Sequence, residues 1–220
     1  MFKKNILYLI VIIGLSSCLE NTRSKYFDEK IEVNTENVPL NKKQNYFPIS
    51  KFTDSTTNKK HAIQNIKYCS EILFGLNEPL LFNKKSINES FRLLWLRSFD
   101  NPISIRIEKN RSHVHITWKE SYPSDGYNPS YMILYKDKEL TLNEWNQFTS
   151  LLAPIDYWNT SVLDTISSLD GSVWYLEGVN SNHYHIMYRK GTSNLNSPFQ
   201  NACNYLIKLT DLNIPKDSFY

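Results

Sequence analysis

The run Phe91-Arg-Leu-Leu-Trp-Leu-Arg-Ser-Phe99 constrains the fold more than any other segment of the chain. Successive side chains of a strand point to opposite faces, and both alternating sets here are largely apolar. The run therefore predicts a central strand covered on both sides. The next two segments carry a different pattern. Ile103, Ile105 and Ile107 alternate with Ser104, Arg106 and Glu108, the pattern of a half-exposed strand, and Val114, Ile116 and Trp118 alternate again after the polar Lys109-Asn-Arg-Ser112. Those two strands form a predicted hairpin.

The stretch from Tyr122 to Ser130 holds Pro123, Asp125-Gly126 and Asn128-Pro129 and reads as a loop, with a short strand from Met132 to Tyr135 after it. Ser172-Val-Trp-Tyr-Leu-Glu-Gly178 and His183-Tyr-His-Ile-Met-Tyr-Arg189, joined by Val179-Asn-Ser-Asn182, predict a second hairpin. Three segments carry helical spacing instead. From Lys59, residues Ile63, Ile66, Cys69, Ile72 and Leu76 share one helix face, which ends between Gly75 and Pro79. Thr141-Leu-Asn-Glu144 is a capping box ahead of Trp145, Phe148, Leu151 and Leu152, and Pro154 should end that helix. Ser197-Pro198 opens a third helix, to about residue 211, striped by Phe199, Ala202, Cys203 and Leu206. Together these elements predict an α+β fold: a mostly antiparallel sheet with about three helices packed on one face.

Upstream, Lys3 and Lys4 precede a short apolar run from Ile6 to Leu15. About ten apolar residues are too few to span a bilayer core, which needs roughly 20 in a helix, so the run reads as an export signal. Leu15, Ser16, Ser17 and Cys18 each match the lipobox of bacterial lipoproteins, and the chain resembles that class. The resemblance implies a signal peptide over 1–17, lipidation of Cys18, and attachment to the membrane through acyl chains, two or more of which anchor stably. Leu19, where aspartate would direct otherwise, implies the outer membrane as location. Residues 18–58 are polar and lack periodicity, which predicts a lipidated, flexible tether onto which Tyr46, Phe47 and Ile49 bring apolar side chains that can dock on the body. A single α+β domain is then expected over 59–220.

Removing Lys3 and Lys4 with the signal leaves 23 basic against 22 acidic residues, so no electrostatic case for a nucleic-acid partner remains. Cys69 and Cys203 sit on predicted helix faces in a compartment where disulfides persist; a bridge and two buried thiols are both compatible with that placement. His113-Val-His115 and His183-Tyr-His185 each put two imidazoles on one side of a strand, the spacing of a metal chelate or of two solvated strand faces. Glu177, with His185 and Arg189 across the second hairpin, forms a candidate polar cluster, although a one-residue slip would divide it between faces. No nucleophile elbow, phosphate-cradling glycine loop or His-Glu-x-x-His helix is present, and no cofactor is expected.

The segments Phe91 to Phe99, Asn101-Pro102, Asp170-Gly-Ser-Val-Trp174, Leu176-Glu-Gly178, Tyr184-His185, Arg189 and Phe199 through Cys203 resemble an uncharacterised family of bacterial exported proteins over about residues 91–212. The chain departs from that pattern after Arg189, where Lys190-Gly-Thr-Ser193 stands in place of a tryptophan-containing stretch. The resemblance implies no activity. The expected function is that of a lipid-anchored envelope protein that binds a protein partner or small ligand, immunity-like inhibition of an exported toxin being one form, with Arg97, Trp174, Glu177, His185 and Arg189 as candidate ligand-binding residues. A hydrolase built on the histidine pairs and Glu177 is the alternative.

Overall fold

The doubly apolar run becomes β1 (Glu89–Leu96), near the middle of a six-stranded sheet. A computed structural model describes residues 31–53, 59–83, 88–122, 130–163, 172–190 and 197–215. The leader, Cys18, the 123–129 part of the expected loop, and Asp170-Gly171 lie outside the described residues. The remaining strands are β2 (Ile103–Asn110), β3 (His113–Tyr122), β4 (Tyr131–Leu140), β5 (Val173–Val179) and β6 (Tyr184–Lys190). They stand in the order β4-β3-β2-β1-β5-β6, every pair antiparallel. Both expected hairpins form, β2–β3 and β5–β6. With α1 (Lys59–Gly75), α2 (Leu142–Ser150) and α3 (Pro198–Lys208) the fold is α+β.

The helices do not share one face, which corrects the expected layering. Phe91, Leu93 and Trp95 of β1 pack with Trp174 and Leu176 of β5 against α2 and α3, through Trp145, Phe148, Ala202, Cys203 and Leu206. Leu94, Tyr175, Val179 and Ile186 point the other way, onto Ile66, Cys69, Ile72 and Leu73 of α1. Both alternating sets of β1 and β5 are largely apolar, with Arg92 and Glu177 as the buried charges among them, and leaving either set in water would forfeit about 1.5–3 kcal/mol for each large apolar side chain, so both faces must be covered.

An arm ahead of α1 completes the second layer. Residues 31–53, expected as part of the tether, belong to the folded body. Tyr46 and Phe47 are buried as the docking expectation had them, Phe52 joins them, and Ile49 packs against the same cluster. The Tyr46 amide donates to Ser70 Oγ at 2.9 Å, and Phe47 stacks on Tyr175 with ring centroids 5.5 Å apart. Polar runs flank these few rings, which is why composition alone reads as tether: three aromatic anchors outweigh the surrounding asparagines and lysines.

Local capping chemistry behaves as the residues demand. Thr141 Oγ1 accepts from the Glu144 amide at 3.2 Å while Glu144 Oε2 accepts from the Thr141 amide at 2.7 Å, and Ser197 caps α3. β4 runs well past Tyr135, to Leu140. At this edge both faces meet water beyond Tyr135, so Lys136-Asp-Lys-Glu139 carries no apolar alternation to announce a strand. Cys69 and Cys203 are free and buried in separate layers with the sheet between them, which decides for buried thiols. Among the described residues no helix is long and apolar enough to cross a membrane.

Candidate functional site

The last turn of α1 aims a carboxylate at the sheet. The Glu78 amide donates to the Leu73 carbonyl at 3.0 Å and the Asn77 amide to the Phe74 carbonyl at 2.9 Å, with Asn77 left-handed at φ 52°. This is a Schellman ending, with asparagine where glycine is commonest. It turns the chain so that Glu78 drops between α1 and the strands. Gly75 permits the approach, because a Cβ there would lie 2.4 Å from the Ser130 carbonyl oxygen.

Three strands answer that carboxylate with cations. Lys119 Nζ of β3 lies 2.9 Å from Glu78 Oε1, and Arg106 Nε of β2 lies 3.1 Å and Arg92 Nη1 of β1 3.5 Å from Oε2. Lys119 also donates to the Leu76 and Asn77 carbonyls, at 2.9 and 3.0 Å, placing a cation at the negative end of α1. Arg92 pairs with Glu177, directly opposite it on β5, and donates to the Pro79 carbonyl at 2.7 Å. Glu177 accepts from the Tyr184 hydroxyl at 2.8 Å, and Arg106 pairs with Glu108. Glu78, Arg92 and Glu177 are each 1% exposed. Burial alone would push the Glu78 carboxyl up, but Arg106, Lys119 and Arg92 together hold it down at about 2. Burial pushes Glu177 up, against the opposing pull of Arg92.

The network surfaces on one side. Arg106 and Lys119 join Thr35 to Val38 of the arm, Asn77, Pro79, Glu108, Met132 and Tyr135 in lining a cleft of about 710 Å³. Beyond it, the pairing rows continue the floor outward. Glu108 lies beside His115 and then Glu139, while Arg106 lies beside Thr117 and then Asp137. His115 Nε2 sits 3.0 Å from Asp137 Oδ2. The α1-side apolar cluster draws its strand members from β1, β5 and β6 alone, so this half of the sheet carries polar side chains instead.

The residues singled out from sequence are scattered. Glu177 is in the network on the α1 face. His185 is opposite Gly178 and therefore on the other face, so the Glu177–His185–Arg189 cluster does not form. The slip that would divide those three residues is the register the hairpin adopts. His185 lies edge-on to Tyr157 with centroids 5.2 Å apart; burial, then Lys51 and Arg189, lower its pKa to about 4. Trp174 is buried against Trp95 and donates to Ser172 Oγ at 2.7 Å. Arg189 stands opposite Trp174 and donates to the Val162 and Ser161 carbonyls at 3.0 and 2.9 Å. Arg97 binds the Asn101 carbonyl through two nitrogens and lies over Trp95. His113 and His115 are on β3 while His183 flanks β6 and His185 lies on it, with three strands between, so the four imidazoles do not converge. Among the described residues no group of three or more His, Cys, Asp or Glu could hold a metal.

Glu78, Arg106 and Lys119 carry no motif that sequence reasoning marks. Two residues of the network had a signal: Arg92 and Glu177 are each a lone charge inside an apolar strand run, and charges so placed are buried only when paired. Compared with known proteins, the chain matches no family model and no curated protein.

Proposed function

We propose that the chain is a bacterial lipoprotein held at the cell envelope, at the outer membrane as Leu19 implies, through acyl chains on Cys18, and that its folded body is a binding module for a protein partner. The lipobox residues Leu15 to Cys18 support the anchor. What carries the binding reading is β4, an edge strand that leaves Tyr131, Met132, Ile133 and Tyr135 each more than 40% exposed, with Met132 and Tyr135 lining the cleft. Aromatic and methionine side chains presented together at a rim are the composition of interface anchors. Tyr131 stacks on Tyr122 with ring centroids 5.4 Å apart, which adds one further ring to the edge and pre-orders the pair at low entropic cost. The buried network holds the layers together, its cations pairing with Glu78, Glu177 and Glu108; the side chains left for recognition are those of β4 and the cleft rim. Inhibition of an exported toxin is one form such binding could take.

Photo-cross-linking in the producing bacterium tests both halves. A benzoyl-phenylalanine at position 135 should give one discrete adduct in the membrane fraction, and the same group at Lys67, on the outward side of α1, should not. Cys18→Ala should release the protein from membranes and abolish palmitate incorporation. Adducts of equal yield from both positions would defeat the binding reading, and membrane retention of the unlabelled variant would defeat the anchor.

A further inference from the structure

The alternation Lys136-Asp137-Lys138-Glu139 sorts charge by face. Lys136 is opposite Trp118, on the α2–α3 side, where it pairs with Asp211 at 2.6 Å; Lys138 is opposite Ile116 on that side too. Asp137 and Glu139 are opposite Thr117 and His115, on the α1 side. On the same side Glu108 and, from the arm, Glu36 line the cleft, and His115 stands between Glu108 and Glu139 in the pairing rows. Among the described residues of this face the lysine and arginines are paired within the fold, Arg106 with Glu78 and Glu108 and Lys119 with Glu78 and two helix carbonyls, and His115 sits against Asp137 while His113 lies two residues along the same strand face. Acid is therefore in excess over the whole cleft and rim. Tyr135 stands in the middle, 54% exposed, its hydroxyl pKa raised by partial burial, Asp137 and Glu36.

We propose that the cleft and the outer face of β2–β4 form the docking surface for a lysine- or arginine-bearing segment of the partner protein, one cationic side chain passing over the Tyr135 ring on the face away from Lys119, whose Nζ lies 5.7 Å from the ring centroid, and reaching Glu36 or Glu108, its neighbours facing Asp137 and Glu139. The inference rests on the binding-module reading and adds the partner's chemistry. Charge complementarity chooses the occupant: a cation gains both from the carboxylates and from the half-exposed Tyr135 ring, whereas an acidic segment would meet four carboxylates while Arg106 and Lys119 stay paired within the fold. Strand addition to the free edge of β4 is disfavoured, because the pairing to β3 slips between Glu120 and Ser121, leaving a bulge at Ile133 that bends the edge. Recognition then runs through side chains of the sheet face.

The test uses the full chain in detergent and three fluorescein-labelled or vesicular probes: hexa-arginine, hexa-glutamate and phosphatidylglycerol vesicles. Hexa-arginine should bind saturably. Asp137→Asn with Glu139→Gln should weaken it at least tenfold, Tyr135→Ala several-fold at constant charge, and Glu71→Gln with Asp156→Asn, equal in charge change, on α1 and in the α2–α3 layer and outside the cleft lining, less than twofold. Equal weakening by both double variants, no effect of Tyr135→Ala, or stronger binding of hexa-glutamate or the vesicles would overturn the proposal. If position 135 still cross-links to one partner in cells while hexa-arginine fails these criteria, the basic chemistry falls and the binding module stands; no adduct at all removes the module itself.

Discussion

Replacing Glu78 by glutamine keeps the size of a side chain that is 1% exposed and removes the one negative charge shared by the buried Arg92 and Lys119 and the partly buried Arg106. Breaking a buried ion pair by neutralising one partner costs about 3–5 kcal/mol, because the other charge stays desolvated and unpaired. The amide oxygen can still accept from Lys119, and Arg92 retains Glu177, so the lower end of that range applies. Proton linkage supplies an independent figure. A carboxyl held at about 2 in the fold and near 4.5 in the unfolded chain contributes on the order of 3 kcal/mol, at about 1.4 kcal/mol per pKa unit. The folded pKa is depressed, so this stability is complete above about pH 4.5 and is lost as pH falls toward 2. For a domain of this size 3 kcal/mol lowers Tm by about 6–12 °C. Urea unfolding followed by tryptophan fluorescence at pH 7 should show that loss for Glu78→Gln, with Glu139→Gln within about 0.5 kcal/mol of wild type. The acid limb between pH 4 and 2 should flatten in the variant. A loss under about 1 kcal/mol, or an unchanged acid limb, would refute the picture of Glu78 as the electrostatic hub between α1 and the sheet.

His185, buried and lowered to about 4, should charge in the unfolded chain before it charges in the fold; stability is then lost as pH falls from about 6.5 to 4, by at most about 3 kcal/mol, and His185→Gln should flatten that limb. Gly178→Ala would set a methyl 2.6 Å from the Phe91 ring and 2.9 Å from Tyr157, so a loss of about 1–3 kcal/mol is expected in thermal unfolding; a neutral result would mean the α2 layer can yield there. Burial holds the Cys69 thiol up at about 12 and raises Cys203 well above its ordinary value, so Ellman's reagent should find neither in the native protein and both in guanidinium, without prior reduction; native reactivity, or a need for reductant, would contradict two buried free thiols.

The parts of the fold legible in sequence were those written in period. Isoleucines two apart declared β2, Thr141 and Glu144 declared the start of α2, and the doubly apolar Phe91 run declared the middle of the sheet. That run also contains the layering, since a strand apolar on both sides needs cover on both, which places α1 on the face opposite α2 and α3. The arm was hidden because Tyr46, Phe47 and Phe52 are three anchors among polar residues with no period to link them. The site was hidden for a different reason. Glu78 acquires its role from a helix ending, and Arg106 and Lys119 look like the solvent halves of ordinary alternating strands until Glu78 is lowered onto them. Glu177 was picked out from the sequence, but the register of β5 with β6 gives it Arg92 and Tyr184 as partners and sends His185 to the opposite layer.

Hydrogen exchange on the full chain tests the central claim most directly, compared between washed membranes of the producing bacterium and the purified protein. If the β2–β4 face is where a partner docks, amides of residues 131–140 and of the cleft-lining 35–38 should exchange more slowly in membranes, while α2 and α3 exchange alike in both. Identical exchange along β4 in the two preparations, or protection confined to α2 and α3, would contradict it.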